Sequence, residues 1–279
     1  MAIADLDPLR DHDELGVSHS WGTGPEVIFL SNPLADPVAW SAPVRNELLS
    51  LGYKVTTFEH RPGDSDWQSV VACVTTFIGR RPEPVALIGW SQGAAIAQEV
   101  ALAAESRVRA AVLLATYGRQ NEIDRLLQDS WDYLAQNGPD SLRAVLRLLT
   151  AFSPDQLADD SLVRLLLEQP GWAEKSDLDL RRRAASFIAT YQDRIGSLTA
   201  VRRPCLVMGF ELDTDTFAAR ALEVAHALPD AEYVEVSGVG HAAPLSDPAL
   251  VWPPVVAFLG RHHPADEGRS AKRPVITGP

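Results

Sequence analysis

An α/β fold, with a mostly parallel sheet covered by helices on both faces, is what this 279-residue sequence predicts. Three features carry the prediction. Short apolar runs alternate with segments apolar at helical spacing in the first 116 residues and again after residue 203. The pentapeptide Gly89-Trp90-Ser91-Gln92-Gly93 stands between such a run and a helix-like segment. Between residues 117 and 203 the alternation stops, and only helical periodicities remain.

Taken in order, residues 1–16 are a polar lead, with Asp5, Asp7, Asp11, Asp13 and Glu14 among few apolar side chains. Residues 17–21 read as an antiparallel edge strand. A parallel strand follows at 26–30, a helix at 43–51, a strand at 53–58 and a helix at 67–78, apolar at helical spacing. Residues 85–88 form the strand that enters the pentapeptide. A helix from Ala94 leaves it, and 110–115 is the next strand. Strands buried on both faces read as continuous apolar runs, as these do. Helices are then expected at 123–134, 141–152, 161–168 and 178–195, a block too long for a loop in a compact domain. Residues 204–209 and 231–236 resume the strands, and the stretch from 261 to 279, polar and broken by Pro and Gly, reads as a disordered tail.

A Gly-x-Ser-x-Gly turn between a buried strand and a helix holds its serine exposed on a tight, strained turn, and the glycines make room for it. Ser91 is therefore the candidate nucleophile. Such a serine needs a base, and His241 sits in Ser237-Gly238-Val239-Gly240-His241, just after the strand-like 231–236. Its near-neutral pKa suits it to take the serine proton and return it to a leaving group. The acid should lie between them in the chain, after the strand at 204–209. Asp213 stands at the usual distance from that strand, Asp215 is the alternative, and Glu211 is too close to it. Either aspartate could instead cap the following helix.

Composition sets limits. Hydrophobic residues at 46% and charged residues at 22% suit a globular domain. A formal net charge of −12 disfavours nucleic acid and anionic membrane surfaces as partners. Cys73 and Cys205 lie in apolar stretches and read as core residues. With neither a basic-then-apolar leader nor an apolar run of membrane length, a reduced, cytoplasmic setting is expected.

Three further segments carry a resemblance. Leu30-Ser31-Asn32-Pro33-Leu34-Ala35-Asp36 with Trp40 beyond it is similar to the segment after the third strand in enol-lactonase-like proteins. Phe58-Glu59-His60-Arg61-Pro62-Gly63-Asp64-Ser65 resembles an Asp-x-Arg-Gly-x-Gly-x-Ser loop, and Arg202-Arg203-Pro204 precedes the strand at 204 in the same style. From about residue 17 to 259 the chain resembles the capped α/β-hydrolases. These include proline iminopeptidases, bacterial esterases, cofactor-free haloperoxidases and 3-oxoadipate enol-lactonases. The resemblance implies an α/β-hydrolase core at 17–116 and 204–260, with a helical cap at 117–203 inserted after the sixth strand. It also implies that the Gln92 N–H is one oxyanion donor. The usual second donor falls on Pro33, which has no N–H, so the Leu34 N–H or the Asn32 amide is the expected substitute. Trp90, Pro33 and Trp40 are pocket candidates, and cap aromatics such as Trp131 and Trp172 could join them.

The function expected is serine-dependent hydrolysis of a small or medium, partly apolar ester, lactone or thioester. No metal or organic cofactor is implied. The expected partner is a small-molecule substrate, with a homodimer left open. Two alternatives stand beside this reading: non-hydrolytic triad chemistry (C–C cleavage, acyl transfer or cyclisation) and a ligand-binding protein on the same fold.

Overall fold

A computed structural model describes residues 8–31, 36–61, 66–168 and 178–265. Strands β1 (Leu9–Asp13), β2 (Gly16–Trp21), β3 (Glu26–Leu30), β4 (Lys54–His60), β5 (Val85–Trp90), β6 (Val108–Leu114), β7 (Cys205–Phe210) and β8 (Ala231–Val236) form one sheet. Their order is β1-β2-β4-β3-β5-β6-β7-β8. From β4 to β8 every pairing is parallel, while β2 runs antiparallel to both β1 and β4. Because β3 lies between β4 and β5, the chain leaves β3 toward one edge and then crosses back. In open α/β sheets the crevice at the carboxyl ends of the strands beside such a reversal is where ligands bind.

The central strands are buried on both faces, so alternate residues feed two cores. Ile28, Leu30, Leu87, Ala111, Leu113 and Val207 face one side. There they meet α2 (Trp67–Gly79), α3 (Gln92–Ala103) and α10 (Ala218–Ala227) through Val74, Phe77, Ile96, Val100 and Val224. Val27, Phe29, Ile88, Val112, Met208 and Phe210 face the other, against α1 (Pro37–Ser50) and α12 (Pro248–His262) through Val44, Leu48, Val255 and Phe258. Each buried Val, Leu, Ile, Phe or Met side chain among them contributes about 1.5–3 kcal/mol.

Between β6 and β7 lie α4 (Glu122–Asn137), α5 (Asp140–Ala151), α6 (Pro154–Leu157), α7 (Asp160–Glu168), α8 (Leu178–Thr190) and α9 (Ile195–Leu198), with α11 (Ala243–Ser246) following β8. Capping explains two of the starts. Asn121 and Asp124 exchange side-chain and backbone hydrogen bonds at α4, and Ser153 and Gln156 do so at α6.

Three expectations are revised. The polar lead contains β1, an edge strand exposed at four of its five positions. An edge needs only backbone pairing and carries charge safely, so no apolar alternation announces it. The end of the helical block is not separate from the main body, because Phe187, Tyr191 and Leu198 are buried in the first core. At the other end, α12 runs through His262 and His263 is buried, so the first three residues of the expected tail belong to the folded body. Residues 266–279 lie outside the described residues. No helix among the described residues is long and apolar enough to cross a membrane.

Candidate active site

Ser91 follows β5 and caps α3 with φ 57° and ψ −124°, a left-handed backbone that a residue with a Cβ rarely adopts. Its surroundings hold it there. The Ser91 N–H donates to the Leu114 carbonyl (2.8 Å), and the Ser91 carbonyl accepts from the Ala94 N–H (2.9 Å) as α3 begins. Neither flanking glycine has room for a side chain. A Cβ at Gly89 would strike the Gly93 carbonyl and come within 2.5 Å of the Ala94 Cα, and one at Gly93 would strike the Leu30 carbonyl and come within 2.8 Å of the Ser31 Cα. Gln92 is the first residue of α3, so its N–H has no partner inside the helix and points with the positive end of the helix dipole.

Two loops at the same end of the sheet converge on this turn. Glu211 N–H donates to the Val236 carbonyl (3.1 Å), Leu212 N–H to the Val239 carbonyl (3.0 Å), and Gly238 N–H to Glu211 Oε2 (2.8 Å). The loops after β7 and β8 are thereby tied together. On the first, the Asp213 side chain is fully buried. Its Oδ1 accepts from the N–H groups of Asp215 (2.9 Å) and Thr216 (2.7 Å), leaving Oδ2 to accept from His241 Nδ1 at 2.7 Å. An ionised carboxylate is acceptor only, which puts the proton on Nδ1. The Trp90 indole N–H donates to the His241 carbonyl (3.1 Å) and its ring lies 5.5 Å from the imidazole, so the serine turn and the histidine loop are neighbours.

Asp213 and Asp215, rivals for one role in the sequence, flank the same imidazole. Asp215 Oδ2 lies 3.4 Å from His241 Nε2. No hydrogen bond joins Ser91 Oγ to His241 among the described residues. Burial pulls the imidazole pKa down, but the two carboxylates outweigh it and push His241 up to about 9. Desolvation holds the Asp215 carboxyl above its ordinary range, with Asp213 and Asp124 adding to the rise and His241 opposing it.

Tyr117 was missed by sequence reasoning. It follows Ala115, whose φ of 50° is the other positive value at a non-glycine residue among the described residues. The Tyr117 hydroxyl is buried without a hydrogen-bond partner among the described residues, and burial first, then Asp215 and Asp124, hold it far above the ordinary tyrosine range. The strained Ala115 backbone has no sequence signature. The Asp-x-Asp spacing, by contrast, was a readable signal that two carboxylates could sit close together.

Other expectations fare differently. Trp40 is 1% exposed and packs against Phe29, Trp90 and Trp252. This places it in the second core and not on an open pocket wall, because those three rings enclose its indole. Among the aromatics of the helical block, Phe187 and Tyr191 are core, Tyr133 is exposed and Trp131 is half-buried. Asn32, Pro33 and Leu34, the loop that bears on the second oxyanion donor, lie outside the described residues, as does Trp172. A shallow apolar depression lined by Ile195, Thr199, Leu222 and His226 shares no residue with this site.

The helical block reaches both loops. Ala242 N–H donates to the Ala151 carbonyl (2.7 Å), Thr214 Oγ1 to the Leu149 carbonyl (3.1 Å), and Gln156 Nε2 to Asp247 Oδ2 (2.9 Å). Phe152 and Leu148 pack on Ala242. Among the described residues no cluster of three or more His, Cys, Asp or Glu is arranged to hold a metal ion.

The sequence profile of the alpha/beta hydrolase family matches residues 35–253. The chain belongs to that family. BpoC of Mycobacterium tuberculosis, described as a candidate non-heme bromoperoxidase, is 30% identical over 250 residues, 85% of this chain and 95% of that protein. Its crystal structure superimposes with a TM-score of 0.80 at 28% identity, over 91% of this chain and 98% of that one. An enol-lactonase of Burkholderia xenovorans shares the fold at 18% identity (TM-score 0.73, 89% and 99% covered), as does a thermophilic esterase of Thermogutta terrifontis (18%, 0.71, 91% and 99%).

Proposed function

We propose that this α/β-hydrolase is a serine-dependent hydrolase of a small or medium, partly apolar ester, lactone or thioester. One observation carries the reading: a strained Ser91 on the turn into α3 follows Trp90, whose indole N–H donates to the carbonyl of a histidine with its Nδ1 held 2.7 Å from a buried carboxylate. In this reading Ser91 Oγ attacks the carbonyl carbon and gives its proton to His241 Nε2. Asp213 holds the Nδ1–H tautomer and stabilises the imidazolium. The Gln92 N–H receives the developing oxyanion, and the helix dipole favours it there. The imidazolium then protonates the leaving group, and a water, deprotonated by His241, releases the acyl group from Ser91. The helices between β6 and β7 act as the cap, since α5 and α6 rest on the loops that carry Asp213 and His241. Trp90 forms a wall of the pocket. The enzyme works in the reducing cytoplasm, a setting that suits two cysteines both buried in the core.

A fluorophosphonate probe tests the central step. It should label Ser91 stoichiometrically, and Ser91→Ala and His241→Ala should each abolish turnover of simple esters, with the double variant no worse than either alone. Turnover in Ser91→Ala sinks the reading. The name carried by BpoC favours one second reading, bromination with peroxide and bromide. A bromide- and peroxide-dependent bromination that Ser91→Ala removes would bring it forward.

A further inference from the structure

We propose that Asp215 sets the charge class of the substrate: the site accepts groups that are neutral or cationic beside the scissile carbonyl and turns carboxylates away. The inference rests on the hydrolase reading above. Asp215 is not the orienting acid, because Asp213 already holds Nδ1 and the N–H groups of Asp215 and Thr216. Its carboxylate lies instead at the opposite nitrogen, 3.4 Å from Nε2, the atom that exchanges protons with the nucleophile and the leaving group. With 32% of its side chain exposed, it is open to solvent, and so to a substrate, beside that nitrogen.

The groups around Asp215 leave its charge uncompensated except by His241. On its own loop stands Asp213, from the loop after β8 comes His241, and from α4 comes Asp124. Tyr117, after β6, adds a buried hydroxyl that no group among the described residues engages. Among the described residues no lysine or arginine acts on Asp215, so three carboxylates meet one imidazole. A substrate carboxylate placed there would add like charge and find no cation. An ammonium group would take Asp215 as its counter-ion. That also weakens the hold on the imidazolium, whose Nε2 proton then leaves to water and frees the base for Ser91.

Three thioesters of one acetyl group read this out: acetylthiocholine, its neutral isostere S-(3,3-dimethylbutyl) thioacetate, and the anionic S-acetyl-3-mercaptopropionate. In the wild type at low salt, kcat/KM should favour the cation over the neutral isostere by about tenfold, and the neutral over the anion by a similar factor. The ratios should shrink in about 0.5 M NaCl. In Asp215→Asn both ratios should fall to within about twofold, and the acid limb of the neutral substrate's pH profile should move down by about one unit. Unchanged ratios in Asp215→Asn, or a wild type that prefers the anion, overturn the proposal. If Asp215→Asn does not fold, the wild-type ratios and their salt response decide alone: no cation preference, or one that salt leaves intact, overturns it. Fluorophosphonate labelling run in parallel separates the two ideas. Labelled Ser91 with no charge preference refutes the role of Asp215 and leaves the hydrolase standing, whereas no labelling and no turnover refute both.

Discussion

At residue 91 the backbone stores strain that only a glycine would relieve. Ser91→Gly should therefore stabilise the protein by about 1 kcal/mol while abolishing probe labelling. That corresponds to a Tm roughly 2–4 °C higher. A lower Tm would mean the turn is not strained. The histidine makes a second prediction. In the proposed mechanism His241 must be neutral to act, and it is pushed up to about 9, so kcat/KM of a neutral ester should climb through a limb near pH 9 and not near pH 6.5. Folding obeys the same linkage. A histidine whose pKa is raised in the folded state stabilises it fully below the unfolded value of about 6.5 and loses that contribution as pH rises to about 9. The stability difference between wild type and His241→Gln, measured by urea unfolding, should thus narrow between pH 6 and 10. A gap that does not change across that range would count against the raised value.

Helix α3 does more than follow the serine. Its Glu99 is 2% exposed and meets Arg194 Nε and Nη2 at 3.0 Å each, while accepting from the Tyr191 hydroxyl at 3.0 Å. Gln98 beside it donates to that hydroxyl (2.7 Å) and accepts from Thr116 Oγ1 (3.0 Å). The network ties α3 to the end of the helical block and to the strained segment after β6. Arg194→Met leaves a carboxylate buried without its cation and should destabilise by about 3–5 kcal/mol. Glu99→Leu with Arg194→Met should recover much of that loss in thermal unfolding. A double variant as unstable as the single would show that the network is not a charge pair at heart. None of this was legible beforehand. Glu99 occurs in an ordinary amphipathic stretch, and its partner lies 95 residues away.

Across the whole molecule, the helical block and the loop that carries His241 meet at Gly240. A Cβ there would lie 2.8 Å from the Ala151 carbonyl oxygen and 2.9 Å from the Phe152 carbonyl carbon. Gly240→Ala should push the block off the histidine loop and misplace His241. We expect kcat/KM to fall about 10- to 100-fold, since displacements near 1 Å are enough for that, with little change in far-UV circular dichroism. Wild-type kinetics in Gly240→Ala would separate the block from the site. The close approach also explains a glycine that the sequence shows only as one of two flanking the loop.

Local pattern determined most of the elements and singled out Ser91 and His241 as the candidate pair. Continuous apolar runs mark strands buried on both faces, the Gly-x-Ser-x-Gly spacing marks a turn into a helix, and a histidine on a glycine loop after the last strand marks its partner. These are properties of a few adjacent residues, so the chain carries them openly. Tertiary structure alone decided what depends on two loops meeting. It placed β1 on an edge where no apolar signal is needed, and turned Trp40 into the core. It buried Phe187 and Tyr191 with the main body, and set Asp213 and Asp215 on opposite nitrogens of His241. The two aspartates differ by two positions in one loop. Which one reaches Nδ1 is fixed by hydrogen bonds from residues 215 and 216 and by the ties between the loops after β7 and β8. Those constraints arise only when the strands have paired.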